Sequence, residues 1–483
     1  MLFGIRQKLV IFAFVSLLAA SANAGQAPGL AGAPDVPISS HDRVYLSDQT
    51  SNTVSVVDPA AEKLLGVIRL GDPTPGNLSP LYKGQLLVHG MGFSPDHHTL
   101  AVVSVGSNSV AFIDTQTNRV KHIAYVGRAP HEAFFTPDGK EVWVTVRGED
   151  FVQVLDGKTY RPTRRIQVPN GPGMTIFSPD GKYGYVCSSF TPETVVINTK
   201  THRIVGRVKQ FSPFCPDIAA TPDGKQVWFT LKDIGKTQVF NAKPPFAAIA
   251  VLDTGPITNH VNFARTAKGQ YAYVTVGGLN EVKVFTTTDH PELIATIPTS
   301  ELPHGLWPSG DGTRIYVGLE NADAVTAIDT RSNKVVATIG SGQSPQGMAY
   351  IPNAVSSGDG TDNLTPIGTA GEALHLTLVS VETGNAQTTV AVNNQGLVDL
   401  LEAAVSGLEA KKPYLLALVN NADGSGPLEP LAKFMTNPAG AQIVITVGPL
   451  RRAVQGGEGN QRRFLVIVPL NEETPGAPVQ VQR

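Results

Sequence analysis

The 483-residue sequence predicts an all-β protein whose larger part is a closed ring of four-stranded sheets, and three observations predict it. First, one turn recurs between two strand-like runs: FSPDHHTLAVVS (93–104), FTPDGKEVWVTV (135–146), FSPDGKYGYVCS (177–188) and ATPDGKQVWFTL (220–231). The turn prolines Pro95, Pro137, Pro179 and Pro222 stand 42, 42 and 43 residues apart, a period of sheet-built repeats rather than helical solenoids. Second, each unit holds four apolar-alternating runs, such as 133–136, 141–146, 151–155 and 163–168, as half-buried antiparallel strands do. Third, the ends of the repeat region complement each other. AYIPN (349–353) stops after a first strand, whereas RVYLSDQTSNTVSVVD (43–58) has a second and third strand with no first.

Joining those ends, and counting degenerate copies at 265–276 and 309–319, gives seven units. Proline presets φ at the turn, and glycine accepts the positive φ that follows. One four-stranded sheet leaves both faces uncovered, and radial packing covers them. The expectation is a seven-bladed β-propeller over 43–353, closed by its N-terminal strands.

Ahead of the ring, residues 1–24 read as an export signal: Arg6 and Lys8, then an apolar stretch, then Ala22-Asn23-Ala24 before Gly25. Residues 25–42 read as an N-terminal extension. With no cysteine at the cleavage site, no lipid anchor is expected, and no other run approaches the ~18 apolar residues of a membrane span. The expected location is the periplasm or the extracellular space. Charged residues make up 16% of the chain and the formal net charge is -2, so no basic face is available for nucleic acid. Cys187 and Cys215, the only cysteines, could pair in an oxidising compartment.

The runs WVTV (143–146), YVCS (185–188) and YVTV (273–276), each after a PDG-like turn, resemble the YVTN family of bacterial β-propeller repeats, surface-layer and YncE-like proteins among them. VAFIDTQTNRV (110–120) and VTAIDTRSNKV (325–335) match the same pattern. The resemblance covers about two-thirds of the chain. It implies fold more than function, because similar propellers include surface-layer proteins, lactonases, lyases and electron-transfer subunits.

After the ring, 354–372 is glycine-rich and polar and reads as a linker. A small strand-dominated C-terminal domain, sandwich or α+β, is expected over 373–471. Its candidate strands are 375–384, 386–393, 414–420, 442–448 and 463–469. LVDLLEAAVSGL (397–408) fits one helical face, with an extended alternative, and LEPLAKFM (428–435) is a weaker helix candidate. The proline- and glutamine-rich 472–483 reads as a disordered tail.

In such a ring the innermost strands line the axis, and their entrances converge at one end. Counting six back from each turn proline gives His89, His131, Gly173 and Pro216. The same count from Gly310 and Pro352 gives His304 and Gln346, with Cys215 and His260 one residue off register. The loops after the second strands share that end and contribute Asp48, Arg147, Glu149, Asp150, Lys232, Asp233 and Glu320. His89, His131, Arg147, Lys232 and Gln346 form the expected ligand-binding set. Imidazole and thiolate ligate copper and zinc, so Cys215, His260 and His304 form an expected metal trio, or His89 and His131 with an added ligand. The plainer alternative has these imidazoles bonding neighbouring loop carbonyls. Glu132 should point away from His131, since adjacent strand residues face opposite ways, and Met91, Met174 and Met348 should pack in the core.

The sequence lacks C-x-x-C-H, so c-type haem is not expected, and it lacks G-x-S-x-G, H-E-x-x-H, P-loop and Rossmann patterns. It reads as an exported, non-catalytic binding or scaffold propeller that meets a protein or small polar ligand at the channel end. The alternatives are a lactonase- or lyase-like enzyme acting on a small polar substrate in the funnel, and a periplasmic metal-binding protein.

Overall fold

A computed structural model describes residues 36–71, 86–266, 268–368, 372–395, 398–457 and 461–483. The expected signal at 1–24 lies outside them. Among the described residues, seven four-stranded antiparallel sheets form the blades of a propeller. Blade 1 takes its innermost strand, Pro345–Ile351, from the far end of the repeat region and its other three, Arg43–Asp48, Thr53–Asp58 and Lys63–Arg69, from the near end. Blades 2 to 7 follow in chain order, with innermost strands Val88–Phe93, Pro130–Phe135, Pro172–Phe177, Ile218–Ala220, Thr258–Thr266 and Pro303–Pro308.

The repeat sequence explains the local structure. In blade 3, Glu141–Val146 is buried almost throughout, while in outermost Pro162–Gln167 only Ile166 is buried. Large side chains fill the spaces between blades; Trp143 packs edge-on against Phe177 of blade 4, ring centres 5.1 Å apart. In the turn, Asp138 accepts hydrogen bonds from Thr136 Oγ1 at 2.8 Å and the Lys140 amide at 3.2 Å. Gly139 takes φ +67° there, a conformation glycine adopts without penalty.

A second device ties blades 3, 5 and 6 to the blades that follow them. Thr145 Oγ1 donates to the Gly173 carbonyl at 2.8 Å, Thr230 Oγ1 to Asn259 at 2.6 Å and Thr275 Oγ1 to His304 at 2.7 Å. Cys187 occupies this threonine position in blade 4, and it forms a disulfide with Cys215, just before the inner strand of blade 5. A covalent link stands where blades 3, 5 and 6 use a hydrogen bond, which corrects one expectation: the Cys215 sulfur is consumed and cannot ligate a metal.

The C-terminal region departs most from the sequence reading. One antiparallel sheet runs in the order Glu429–Met435, Pro413–Val419, Phe464–Asn471, Gln480–Gln482, Ala373–Ser380, Ala386–Asn394, Asp399–Val405, Gln442–Gly448. It curls until its first and last strands approach, with Thr446 Oγ1 3.5 Å from the Leu431 carbonyl. Leu378, Val392, Leu401, Leu416 and Ile467 fill its interior. Both expected helices are strands: 399–405 and 429–435 each pair on both flanks or with the neighbouring strand, because cross-strand burial outweighs a helical spacing of leucines and alanines. The expected disordered tail is also a strand. Gln480–Gln482 sits mid-sheet, and buried Gln480 bonds Thr388, Gln387 and the Ser406 carbonyl. Nor is 354–372 a free linker. Ala354 and Val355 are buried, Asn118 Nδ2 donates to the Gly360 and Asp362 carbonyls at 2.9 Å, and Thr365 pairs with Val67.

Candidate functional site

The innermost strands do not start as regular ladders. In blade 3, Pro130 pairs with Val146 and Ala133 with Val144, so His131 and Glu132 together oppose Thr145. Blades 2, 6 and 7 carry the same bulge, at His89-Gly90, Asn259-His260 and His304-Gly305. A bulge breaks the two-residue alternation, which corrects the expectation for Glu132: its carboxylate faces the axis with His131, 4.0 Å from Nδ1. Glycine makes the convergence possible. A Cβ on Gly90 would overlap the Glu132 carboxylate and the His131 carbonyl, and one on Gly305 would overlap the Gln346 carbonyl.

Four imidazoles therefore meet at one end of the channel. His89 Nε2 and His131 Nε2 are 2.9 Å apart; the rings of His260 and His304 are centred 4.7 Å apart, and those of His89 and His304 6.3 Å. Gln49 Nε2 lies 3.4 Å from His89 Nδ1. Because an amide nitrogen only donates, His89 accepts there, carries its proton on Nε2 and donates it to His131. The His131 proton is left on Nδ1, a buried atom with no hydrogen-bond partner. His304 takes the plainer course, with Nδ1 3.1 Å from the Gln346 carbonyl. Burial holds all four neutral at physiological pH: His89 and His260 are pushed down to about 3, and His131 and His304 lie well below the usual histidine range.

The cavity above them, about 530 Å³, is shared by both domains. Gln49, Arg147, Lys232, Glu320 and Gln346 come from the propeller, and Glu402, Gln442, Ile443 and Ile445 from the C-terminal sheet. The sheet is fixed over blades 1, 6 and 7: Gln395 Nε2 donates to the Thr50 carbonyl, Ser406 Oγ to Gly278, and Asn321 Nδ2 to Thr389. Ile257, Leu302, Ala404, Ala441 and Ile443 make the apolar part of the joint. Buried Glu320 and Glu402 hydrogen-bond each other, and burial raises both, Glu402 well above the carboxylate range. Such a pair retains a proton. Gln346 Nε2 also donates to Glu320 Oε1.

Arg147 lies between the faces of Phe190 and Phe214, 5.6 and 5.3 Å from the ring centres. Neither it nor Lys232 has a carboxylate within ion-pair distance among the described residues. Below the histidines lies a small space of about 30 Å³ between Met91, Met174, Trp307 and Met348. A larger hollow of about 930 Å³ lies among the Pro-Asp-Gly turns at the other end. There Asp138 is held within its own turn and His202 pairs with Glu141 at 2.9 Å.

Of the residues singled out in the sequence, His89, His131, His260, His304, Gln346, Arg147 and Lys232 all reach the cavity. Cys215 does not contribute a ligand, and Asp48 is turned into blade 1, where it accepts from Thr53 and Ser55. Sequence reasoning missed Glu132, Asp217, Gln49 and Glu402. The first had a signal, since Glu132 stands where copies 2 and 7 carry Gly90 and Gly305.

The chain belongs to the YNCE-like beta-propeller family, whose match spans residues 8–355 and so ends before the C-terminal sheet. No curated protein matches the sequence. Among solved structures, the chain is similar to hydrazine synthase from Kuenenia stuttgartiensis, with TM-score 0.51 and 21% identity over 59% of this chain and 92% of that one. It is also similar to a functionally unknown protein from Desulfotomaculum acetoxidans, with TM-score 0.55 and 14% identity over 64% and 98% of the two chains. Both are likenesses of fold.

Proposed function

We propose that the chain is a binding protein for a small polar anion held between the propeller mouth and the C-terminal sheet. One observation carries this reading: Arg147 and Lys232 face a cavity of four neutral imidazoles with no carboxylate at ion-pair distance, the nearest acidic groups acting on Lys232 being the buried Glu320 and Glu402. A cation in a poorly hydrated site attracts a counter-ion, and guanidinium with ammonium suits a carboxylate or phosphate. Because the chain's own second domain roofs the channel, the space suits a small molecule better than a folded partner. The imidazoles and Gln49 and Gln346 amides offer both donors and acceptors to its remaining polar groups. Read with the export signal at 1–24, the binding takes place in the periplasm or outside the cell.

Calorimetry and thermal shift with small carboxylates, sugar acids and phosphate, each beside a neutral analogue, test the proposal. The expected result is stabilisation by an anion and not by its neutral counterpart; at a hundredfold excess over Kd the gain is about 2.7 kcal/mol. It should vanish in Arg147→Ala/Lys232→Ala. Equal binding of charged and neutral forms, or an unchanged double variant, refutes it.

A further inference from the structure

We propose that His89, His131 and Glu132 hold one divalent transition-metal ion at the base of this cavity, where Glu132 borders the small space beneath, with copper(II) the preferred occupant. Each residue offers one ligand atom, and the three atoms lie within 4.8 Å of one another. All three side chains are buried, His89 7%, His131 5% and Glu132 3% exposed, and they come from adjoining bulges of blades 2 and 3, which fixes their backbones. The two Nε2 atoms are 2.9 Å apart. Two nitrogens bound at about 2.05 Å are separated by about 2.9 Å at a right angle and about 3.4 Å at a tetrahedral one, so the spacing suits the tetragonal field of copper(II). With its proton on Nδ1, 4.0 Å from the Glu132 carboxylate, His131 keeps the lone pair of Nε2 for the ion. Binding displaces the Nε2 proton of His89, whose hydrogen bond to His131 spans the same gap in the metal-free chain. The trio differs from the Cys215-centred set expected from sequence, whose sulfur is committed to Cys187. The His260–His304 pair is set aside because, among the described residues, no third histidine, cysteine or carboxylate completes a ligand group with it.

The inference shares the cavity with the anion reading but stands without it. Arg147→Ala should abolish anion binding and leave metal binding intact, so the two can fail separately.

The untagged mature chain, stripped with chelator, is titrated with copper(II) alone and then examined by electron paramagnetic resonance. The expected outcome is one ion per chain with superhyperfine splitting from two nitrogens. His89→Gln and His131→Gln should each weaken binding at least ~100-fold and Glu132→Gln ~10-fold, while His260→Gln stays within about threefold of the parent. Unchanged unfolding midpoints of the apo variants verify that they fold; should any not, the nitrogen count in the parent decides. Substoichiometric copper, a spectrum with fewer than two nitrogens, or loss in His260→Gln with retention in His89→Gln overturns the proposal.

Discussion

Two histidine pairs sit in the entrance bulges of the inner strands, His260 one residue further on than the other three, and their surroundings give them different work. His89 and His131, from blades 2 and 3, touch through ring nitrogens and leave one nitrogen unpartnered. His260 and His304, from blades 6 and 7, are held differently: His304 bonds the Gln346 carbonyl and stands 3.9 Å from Glu320, under the C-terminal sheet, while His260 Nε2 is buried with no hydrogen-bond partner. Each pair keeps a buried carboxylate near an Nδ1, Glu132 at 4.0 Å from His131 and Asp217 at 3.9 Å from His260. A repeat fold thus delivers the same residue type to the same height, and the neighbour in the next blade decides whether it is tied down or left reactive.

The largest effect that sharpens this contrast concerns pH. Burial pushes Asp217 from 3.8 up to about 7. Its folded pKa is raised, so its contribution is fully present below about pH 4 and is lost as pH climbs through 7. Asp217→Asn, which keeps an acceptor for the Val261 amide, should be stabilising by about 3 kcal/mol at pH 8 and near neutral at pH 4. Denaturant titration at both pH values checks it, and equal effects would show that the His260 side is not dry.

Next, Gly90→Ala should cost about 2–3 kcal/mol by forcing blades 2 and 3 apart. Gly340→Ala, whose Cβ would meet nothing within 4 Å, should be close to silent in the same urea titration. The smallest effect bears on the pairs directly. His304→Ala and His131→Ala each lose one buried hydrogen bond, to the Gln346 carbonyl and with His89 Nε2, and should each cost about 2 kcal/mol. A cost for His131→Ala near zero would show that the His89–His131 contact contributes nothing to the fold.

The propeller was legible because its information is local and repeated: the turn at Pro95, Pro137, Pro179 and Pro222 fixes the period, and the period fixes the height of each entrance residue. That arithmetic brought His89, His131, His260 and His304 to one place. It missed Glu132 because strand alternation was assumed through a bulge, which Gly90 on the facing strand permits. Glu402 was out of reach of any such reasoning, since it arrives from a domain with no repeat. There, LVDLLEAAVSGL (397–408) has apolar residues at helical spacing, yet its described part pairs as the strand 399–405. For a single short segment, the long-range partners that decide the outcome leave no trace in its own residues.

Blade 1 draws three strands from residues 43–69 and its fourth from 345–351. A ribosome therefore releases three-quarters of that sheet some three hundred residues before the strand that seals it, and Arg43–Asp48 travels through synthesis with an edge able to recruit a foreign strand. Nascent chains stalled or clipped before Pro345 would expose that edge permanently. Quality-control factors that recognise open edges are the expected readers of the incomplete product.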